Sequence, residues 1–118
     1  MTTKDEVNRF LSAFNAKSKI FDVIFLLRDK NLQALLFLEI TASSRKKIIE
    51  SLTFEDYSEG PLTDTLNKGP DMWIFGKTVK GHEVYIKITM GNPNNSTICI
   101  SFHLAEYKMT YPLKKKLL

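Results

Sequence analysis

The chain contains a single cysteine, Cys99, among its 118 residues. One thiol can form neither an intramolecular disulfide nor a multi-cysteine metal site, which excludes a disulfide scaffold and favours a reducing compartment. Histidine is almost as scarce, with only His82 and His103. These two residues are distant in sequence, and no metal-binding motif can be drawn from them. We therefore expect neither a metal nor another cofactor.

Long apolar runs are also missing. No stretch approaches the roughly 18 apolar residues that a membrane-spanning helix needs, and the opening segment MTTKDEVNRF lacks the apolar core of a signal peptide. The chain has no glycine-rich phosphate loop, no HExxH motif and no G-x-S-x-G elbow. These absences exclude several large enzyme classes and predict a cytoplasmic protein without membrane contact.

The remaining composition is that of an ordinary globular protein, 43% hydrophobic and 25% charged. Lys and Arg total 17 against 13 acidic residues, a net charge of +4 that permits binding to nucleic acid or to an acidic partner without requiring it. No linker or repeat divides the chain, so a single domain is predicted over residues 1–118. We expect a helical part at about 3–52, a sheet part at about 54–104 and a short basic tail at 105–118.

The first half of the chain has helical periodicity. A helix is predicted to begin at Thr3, with Glu6 completing a capping box, and its apolar face falls at positions 7, 10, 11 and 14. Residues 20–27, IFDVIFLL, are predicted as a short buried strand, although their length also fits a buried helical turn. Two further helices are predicted at residues 29–40 and 41–52.

The second half alternates between apolar and polar residues, as half-buried strands do. The segment GPLTDTLNKGPD contains two proline turn signals and is predicted as a loop. Three strands follow, at residues 72–79, 83–90 and 97–104, and a two-residue turn at Lys80-Gly81 joins the first two. Helices followed by antiparallel strands predict an α+β domain in which N-terminal helices pack on a twisted antiparallel β-sheet.

Strand alternation assigns the two faces of this sheet. The apolar face, predicted to be buried, holds Val84, Ile86, Ile88, Ile98, Ile100 and Phe102. The opposite face holds Tyr85, Lys87, Ser101 and His103, with Gly76 expected to leave room for the Tyr85 ring. A slip of two residues would keep these faces and change the partners. The simplest register pairs Tyr85 with His103, Lys87 with Ser101 and Ile88 with Ile100.

The polar residues on this face are those that metal-independent RNA cleavage needs, in which the 2′-hydroxyl attacks the adjacent phosphate. Histidine ordinarily titrates near pH 6.5, about where enzymes work, so His103 is the candidate proton carrier. Lys87 would stabilise negative charge on the phosphorane. Tyr85 would donate a hydrogen bond to a phosphate oxygen or stack on a base. The candidate RNA-binding residues are Ser101, Lys77 and Lys68.

Each of these residues also has an ordinary structural interpretation. A lone histidine on a strand is more often a surface residue than a catalyst, and a cross-strand polar pair contributes only about 0.2–1 kcal/mol to a sheet. His82 is expected to be exposed, Trp73 to lie in the core and Cys99 to be an inert thiol. The residues alone thus leave three functions open: an endoribonuclease, a non-catalytic RNA- or protein-binding module, or a structural or regulatory domain.

The order of several segments resembles the MqsR-type toxins of bacterial type II toxin–antitoxin systems. The resemblance covers about residues 20–103, and its most specific parts are FEDY after a helix, Trp73 at the start of a strand, and VYIKIT. It implies a RelE-like fold, cleavage of mRNA without a metal, inhibition of translation and a co-encoded antitoxin protein as partner. It also implies that Tyr85 is an active-site residue, with Lys87 two residues further on.

Three positions depart from the pattern of that family. Ser58 and His103 stand where the family has lysine, and Ile74 stands where it has glutamine. Ser58 and Ile74 favour a binding module that has lost catalysis. Histidine at position 103 instead strengthens a proton-transfer role there.

Overall fold

The first helix of the computed structural model, which describes residues 1–115, begins at the predicted capping box. In α1 (Lys4–Phe21), the Thr3 side chain accepts from the Glu6 backbone N–H, and the Glu6 carboxylate accepts from the Thr3 backbone N–H. These bonds satisfy donors that the first helical turn leaves free. The predicted apolar face is buried. Lys116, part of the predicted basic tail, lies outside the described residues.

The strand predicted at residues 20–27 is shorter and less buried than expected. Ile20 belongs to α1, which ends at Phe21 and is followed by the C-cap residue Asp22 with a φ of 68°. Only β1 (Val23–Phe25) is extended. Its two ends pack against the core, but Ile24 is 50% exposed because alternate strand residues point to opposite faces of the sheet.

Helices α2 (Asp29–Leu38) and α3 (Ala42–Glu50) lie where the sequence predicts them. Thr41 caps α3 by accepting a hydrogen bond from the Ser44 backbone N–H. From α3, Ile49 enters the core at 1% exposure. Of the helices within residues 1–115, none has the length and apolar character needed to cross a membrane.

Within residues 1–115, β1 is followed by four further strands: β2 (Tyr57–Leu62), β3 (Met72–Val79), β4 (His82–Thr89) and β5 (Thr97–Leu104). The five strands form one open sheet in the order β1-β5-β4-β3-β2. β1 runs parallel to β5, and the other neighbours are antiparallel. The predicted two-residue turn at Lys80-Gly81 is confirmed, since Val79 pairs with His82. The α+β prediction is also confirmed, with three helices packed on a mostly antiparallel sheet.

The sequence predictions missed β2. The sequence predicts a loop at Gly60-Pro61, because this pair is a turn signal. β2 lies at the edge of the sheet, where proline is tolerated, and its pairing with β3 shifts register between Tyr57, Glu59 and Leu62. The loop that joins β2 to β3 therefore spans residues 63–71.

The hydrophobic core lies between α1, α3 and one face of the sheet. The Phe10 ring stacks on Trp73 with centroids 4.6 Å apart. Tyr57 meets both Trp73 and Phe75 edge to face, with each pair of centroids 6.2 Å apart. Such aromatic geometry adds to the stabilisation from buried area. Trp73 is thus a core residue, as predicted.

A β-bulge in β5 changes one pair of the predicted register. Ile88 pairs with Cys99 rather than with Ile100. Cys99 therefore enters the core, whereas Ile98 pairs with Thr89 and stays half-buried on the other face. The predicted burial of Ile98 is wrong, because a bulge inserts one residue and reverses the alternation beyond it. The other residues of the predicted apolar face are buried in the core: Val84, Ile86, Ile88 and Phe102. Ile100 is also buried, but the predicted face is wrong, because it lines the opposite face of the sheet with Ile98.

Candidate functional site

Strands β4 and β5 bring four of the predicted site residues together. The register pairs Tyr85 with His103 and Lys87 with Ser101, as predicted. All four side chains line an open cleft of about 430 Å³ on the face of the sheet opposite the core. Ser101 is buried and the other three are half-buried. The predicted common face is confirmed, and a ligand in the cleft could reach each of these residues.

The backbone holds the His103 ring in one tautomer. Nδ1 lies 2.9 Å from the Leu104 carbonyl oxygen, and because a carbonyl oxygen can only accept, Nδ1 carries the proton and donates it. In the neutral ring Nε2 then has an available lone pair, as a general base requires. The ring stacks on Tyr85 with centroids 5.1 Å apart and planes inclined by 12°. Both contacts orient the imidazole before any ligand binds.

The Tyr85 phenol remains a hydrogen-bond donor. Burial raises the pKa of Tyr85 above its ordinary value, and the neighbouring Tyr107, Glu59 and Glu106 raise it further. The phenol is therefore protonated at neutral pH, because a phenolate would be poorly solvated and close to negative charge. Its O–H can donate to a phosphate oxygen, and its ring can contact a base.

The start of α2 forms one wall of the cleft and contributes residues that the sequence predictions missed. Arg28, the N-cap residue of α2, lines the cleft together with Asp29 and Lys30. In the sequence these residues are a short charged segment between two apolar ones, a pattern typical of a solvated connection. Periodicity could not show that the segment faces β4 and β5.

Asn31 fixes this wall to the sheet. Its Nδ2 donates to the carbonyl oxygens of Leu26 (3.0 Å) and Ile100 (3.1 Å), and its Oδ1 accepts from the Phe102 backbone N–H (2.9 Å). Asn31 is 2% exposed, so these bonds satisfy buried backbone groups of β5 beyond the point where β1 ends. The amide side chain thus positions α2 beside the cleft.

The segment after β5 closes another side of the cleft. Glu106 forms an ion pair with Lys30 across the opening, and the hydrogen bond from Lys30 lowers the pKa of Glu106. Both side chains are more than half exposed, so the pair adds little stability. It does neutralise Lys30, whereas Arg28 and Lys87 take part in none of the three ion pairs found within residues 1–115. Tyr107, 70% exposed, stands at the same rim.

Beyond this rim, the predicted basic tail folds back onto β4 and β3. Glu83 accepts a hydrogen bond from the Met109 backbone N–H (3.1 Å) and another from the Tyr111 hydroxyl (2.6 Å). The Tyr111 ring lies directly over Gly76, where an added Cβ would come within 2.8 Å of Cε1 and Cζ. The expectation that Gly76 makes room for Tyr85 is therefore wrong, because the ring it admits is that of Tyr111.

A smaller cavity of about 250 Å³ adjoins the cleft, and Tyr85 and Tyr107 line both. Two positions that depart from the MqsR pattern, Ser58 and Ile74, line this cavity. Ile74 is 4% exposed and places an apolar side chain where that family has a polar one. These positions therefore lie next to Tyr85 in space, although neither carries the side chain that the family has there.

Two of the predicted RNA-binding residues lie away from the cleft. Lys77 pairs with Val84 on the core side of β3, and its Nζ forms a 3.2 Å ion pair with Asp56. Lys68 is exposed in the loop at residues 63–71 and does not line the cleft. Neither lysine joins Ser101, because strand alternation turns Lys77 to the other face and the loop holds Lys68 outward.

Other reactive side chains do not join the cleft. Burial raises the pKa of the Cys99 thiol to about 12, so the thiol is uncharged at neutral pH, in agreement with the predicted inert role. His82 is exposed and meets Phe37 edge to face, with centroids 4.9 Å apart. Within residues 1–115, no group of three or more His, Cys, Asp or Glu side chains is arranged to hold a metal ion.

Comparisons of the chain with protein-family models, with curated proteins and with solved structures find no match. The resemblance to MqsR-type toxins therefore stays a prediction.

Proposed function

We propose that this protein is an endoribonuclease that cleaves mRNA without a metal, through attack of a 2′-hydroxyl on the adjacent phosphate. The observation that supports it most is the placement of His103 in the cleft, with Nδ1 bonded to a carbonyl and Nε2 available as a base. Lys87 and Tyr85 line the same cleft and supply a cation and a neutral donor. A base, a cation and a donor are the groups that this reaction needs.

The reaction can be followed bond by bond. Nε2 of His103 takes the proton from the 2′-hydroxyl as the O2′–P bond forms. Arg28 and Lys87 stabilise the negative charge of the phosphorane, and the Tyr85 hydroxyl donates to a non-bridging oxygen. As the P–O5′ bond breaks, the leaving oxygen takes a proton from a water molecule, and the hydroxide that remains takes the proton from protonated His103. The products are a 2′,3′-cyclic phosphate and a free 5′-hydroxyl.

The charge and shape of the cleft support an RNA substrate. Lys30 and Glu106 neutralise each other, and of the remaining side chains Arg28 and Lys87 outweigh Asp29. Local positive charge attracts a polyanionic strand and weakens with added salt. An exposed aromatic ring at the rim, such as Tyr107, can stack on an unpaired base.

The proposed biological role is that of a toxin in a type II toxin–antitoxin system, acting in the cytoplasm to inhibit translation. Its support is the order of the FEDY, Trp73 and VYIKIT segments, which also underlies the proposed RelE-like fold and a co-encoded antitoxin protein as partner. A non-catalytic RNA- or protein-binding module on the same fold is the second candidate. The apolar Ile74 and the short Ser58 beside Tyr85 favour that alternative.

The proposal is tested by RNA cleavage with excess EDTA present. The parent protein should produce 2′,3′-cyclic phosphate ends at an unchanged rate when EDTA is added. His103→Ala should slow cleavage by about 10²–10⁴-fold, the usual contribution of one general acid or base, and should flatten the limb of the pH–rate profile that belongs to the general base. Lys87→Ala should also cleave RNA slowly, because the negative charge of the phosphorane loses its stabilising cation. Its pH–rate profile should keep the parental shape.

His82→Ala is the matched control, because His82 lies outside the cleft and should be dispensable. Urea unfolding of His103→Ala should resemble that of the parent, which separates lost chemistry from lost folding. Parental activity in His103→Ala would reject the mechanism. RNA binding without cleavage by the parent would support the binding module instead. Growth arrest on induction, relieved by a small protein encoded next to this gene, would support the toxin role.

A further inference from the structure

A larger cavity, of about 440 Å³, lies on the same face of the sheet as the cleft. The loop at residues 63–71 forms one wall of this cavity, the loop cavity. Its floor is apolar and includes Met72, Ile98 and Ile100. The bulge in β5 creates this floor, because it turns Ile98 away from the core. The volume falls in the range of about 300–1,000 Å³ that is typical of small-molecule sites.

Hydrogen bonds hold the wall of the loop cavity in place. The Asp64 carboxylate accepts from the Asn67 backbone N–H at 2.9 Å, which closes a turn within the loop. The Thr89 hydroxyl lies 3.2 Å from the Pro70 carbonyl oxygen and 3.0 Å from that of Asp71, and donates to them. The loop is therefore attached to β4 at the point where the chain enters β3.

The cleft and the loop cavity meet at two cations. Arg28 and Lys87 line both, and neither is engaged by a carboxylate within residues 1–115. A phosphate held between them would have one flanking nucleoside on the side of His103. The nucleoside on its other side would extend into the loop cavity.

We propose that the loop cavity binds the nucleobase of the nucleotide adjacent to the scissile phosphate and sets the sequence preference of cleavage. The inference rests on the RNA-cleaving function proposed above. The apolar floor would pack against the flat face of the base, as base-binding surfaces commonly do. Apolar contact with the face of a base cannot distinguish one base from another. Hydrogen-bond donors and acceptors for the base edge are present at the rim of the loop cavity, on Thr65, Asn67 and Asn92. Sequence specificity for single-stranded RNA is ordinarily read from such edges.

The first test fills the cavity. Ile98→Trp places a large ring on its floor, and the matched control Ile24→Trp places the same ring on the paired position of β1, outside the cavity. Cleavage of an RNA library with random sequence is then mapped for both variants and the parent. Ile98→Trp should abolish the base preference at one position and slow cleavage about tenfold or more, as the loss of one base contact would. Ile24→Trp should keep the parental preference.

The second test uses the unmodified protein and does not depend on cleavage. A dinucleotide whose first ribose carries a 2′-O-methyl group cannot be cut, and NMR of the methyl groups follows its binding. Resonances of Ile98 and Ile100 should shift together with those of the His103 ring. A His103 shift without any shift of these methyl groups would overturn the inference, as would an unchanged base preference in Ile98→Trp.

These outcomes separate the inference from the proposed function. If Ile98→Trp cleaves RNA with the same base preference as the parent, the base site is rejected and the proposed endoribonuclease activity stands. Methyl shifts without cleavage by the parent would support the base site and reject catalysis. Absence of any shift with the dinucleotide, together with absence of RNA cleavage by the parent, would reject both.

Discussion

Gly76→Ala should destabilise this protein by displacing the ring of Tyr111, which is distant in sequence. Gly76 lies on β3 beneath the Tyr111 ring, and an alanine Cβ would come within 2.8 Å of two ring carbons and closer still to the hydroxyl oxygen. These distances are shorter than van der Waals contact between carbon atoms, so the Tyr111 ring has to move away from Gly76. Its departure breaks the 2.6 Å hydrogen bond between the Tyr111 hydroxyl and Glu83.

The size of the effect follows from two opposing contributions. A hydrogen bond to a charged group contributes about 1.5–3 kcal/mol. Alanine is favoured over glycine within a strand by roughly 0.5–1 kcal/mol, because glycine loses more conformational entropy on folding. The free energy of unfolding of Gly76→Ala should therefore fall by about 1–2 kcal/mol relative to the parent. Burial and the bond to Glu83 both raise the pKa of Tyr111, so the bond is intact at neutral pH.

Urea unfolding of four proteins, followed by the fluorescence of Trp73, tests this reasoning. They are the parent, Gly76→Ala, Tyr111→Ala and the double variant. Without the Tyr111 ring the steric conflict is gone, so Gly76→Ala should stabilise the Tyr111→Ala protein by about 0.5–1 kcal/mol. The effect of Gly76→Ala on the free energy of unfolding thus reverses in sign when the Tyr111 ring is absent. Equal destabilisation in both backgrounds would refute the assignment of the conflict to Tyr111.

Three further predictions concern buried groups. Asn31→Ala should lower the free energy of unfolding by about 2–4 kcal/mol in urea titrations, because buried carbonyl and N–H groups of β5 lose their partners; an unchanged midpoint would mean that these groups find other partners. Cys99 should resist an aromatic disulfide reagent at pH 8 in the native protein and react fully in urea, and rapid native labelling would contradict its burial. Since the native thiol has a pKa of about 12 and an unfolded thiol one of about 8.5, the unfolded chain loses its proton first. The free energy of unfolding should therefore fall as the pH rises between these values. Cys99→Ala should not show this pH dependence.

Local patterns in the sequence predict much of the architecture. The capping box at Thr3 and the turn at Lys80-Gly81 depend on residues a few positions apart, and both form as expected. Alternation along β4 and β5 places Tyr85 and His103 on one face, because side-chain direction in a strand reverses at each residue. The central pair of the candidate site could therefore be predicted without coordinates.

Irregular features of the sheet could not be predicted in this way. The bulge at Ile100 has no distinct residue pattern, and its effect on Ile98 appears only when β5 pairs with β4. β2 was missed because Gly60-Pro61 is a turn signal in most contexts. Only its position at the edge of the sheet makes that pair compatible with a strand.

The sequence by itself thus determined which polar residues share the face of β4 and β5, and tertiary structure decided what surrounds them. Lys30 and Glu106 are 76 positions apart and meet only because both α2 and the segment after β5 lie over that face. Arg28 reaches the cleft because Asn31 binds backbone groups of β5. Side-chain direction is a property of each strand, whereas the walls of a cleft depend on which distant segments pack there, and no local periodicity encodes that choice.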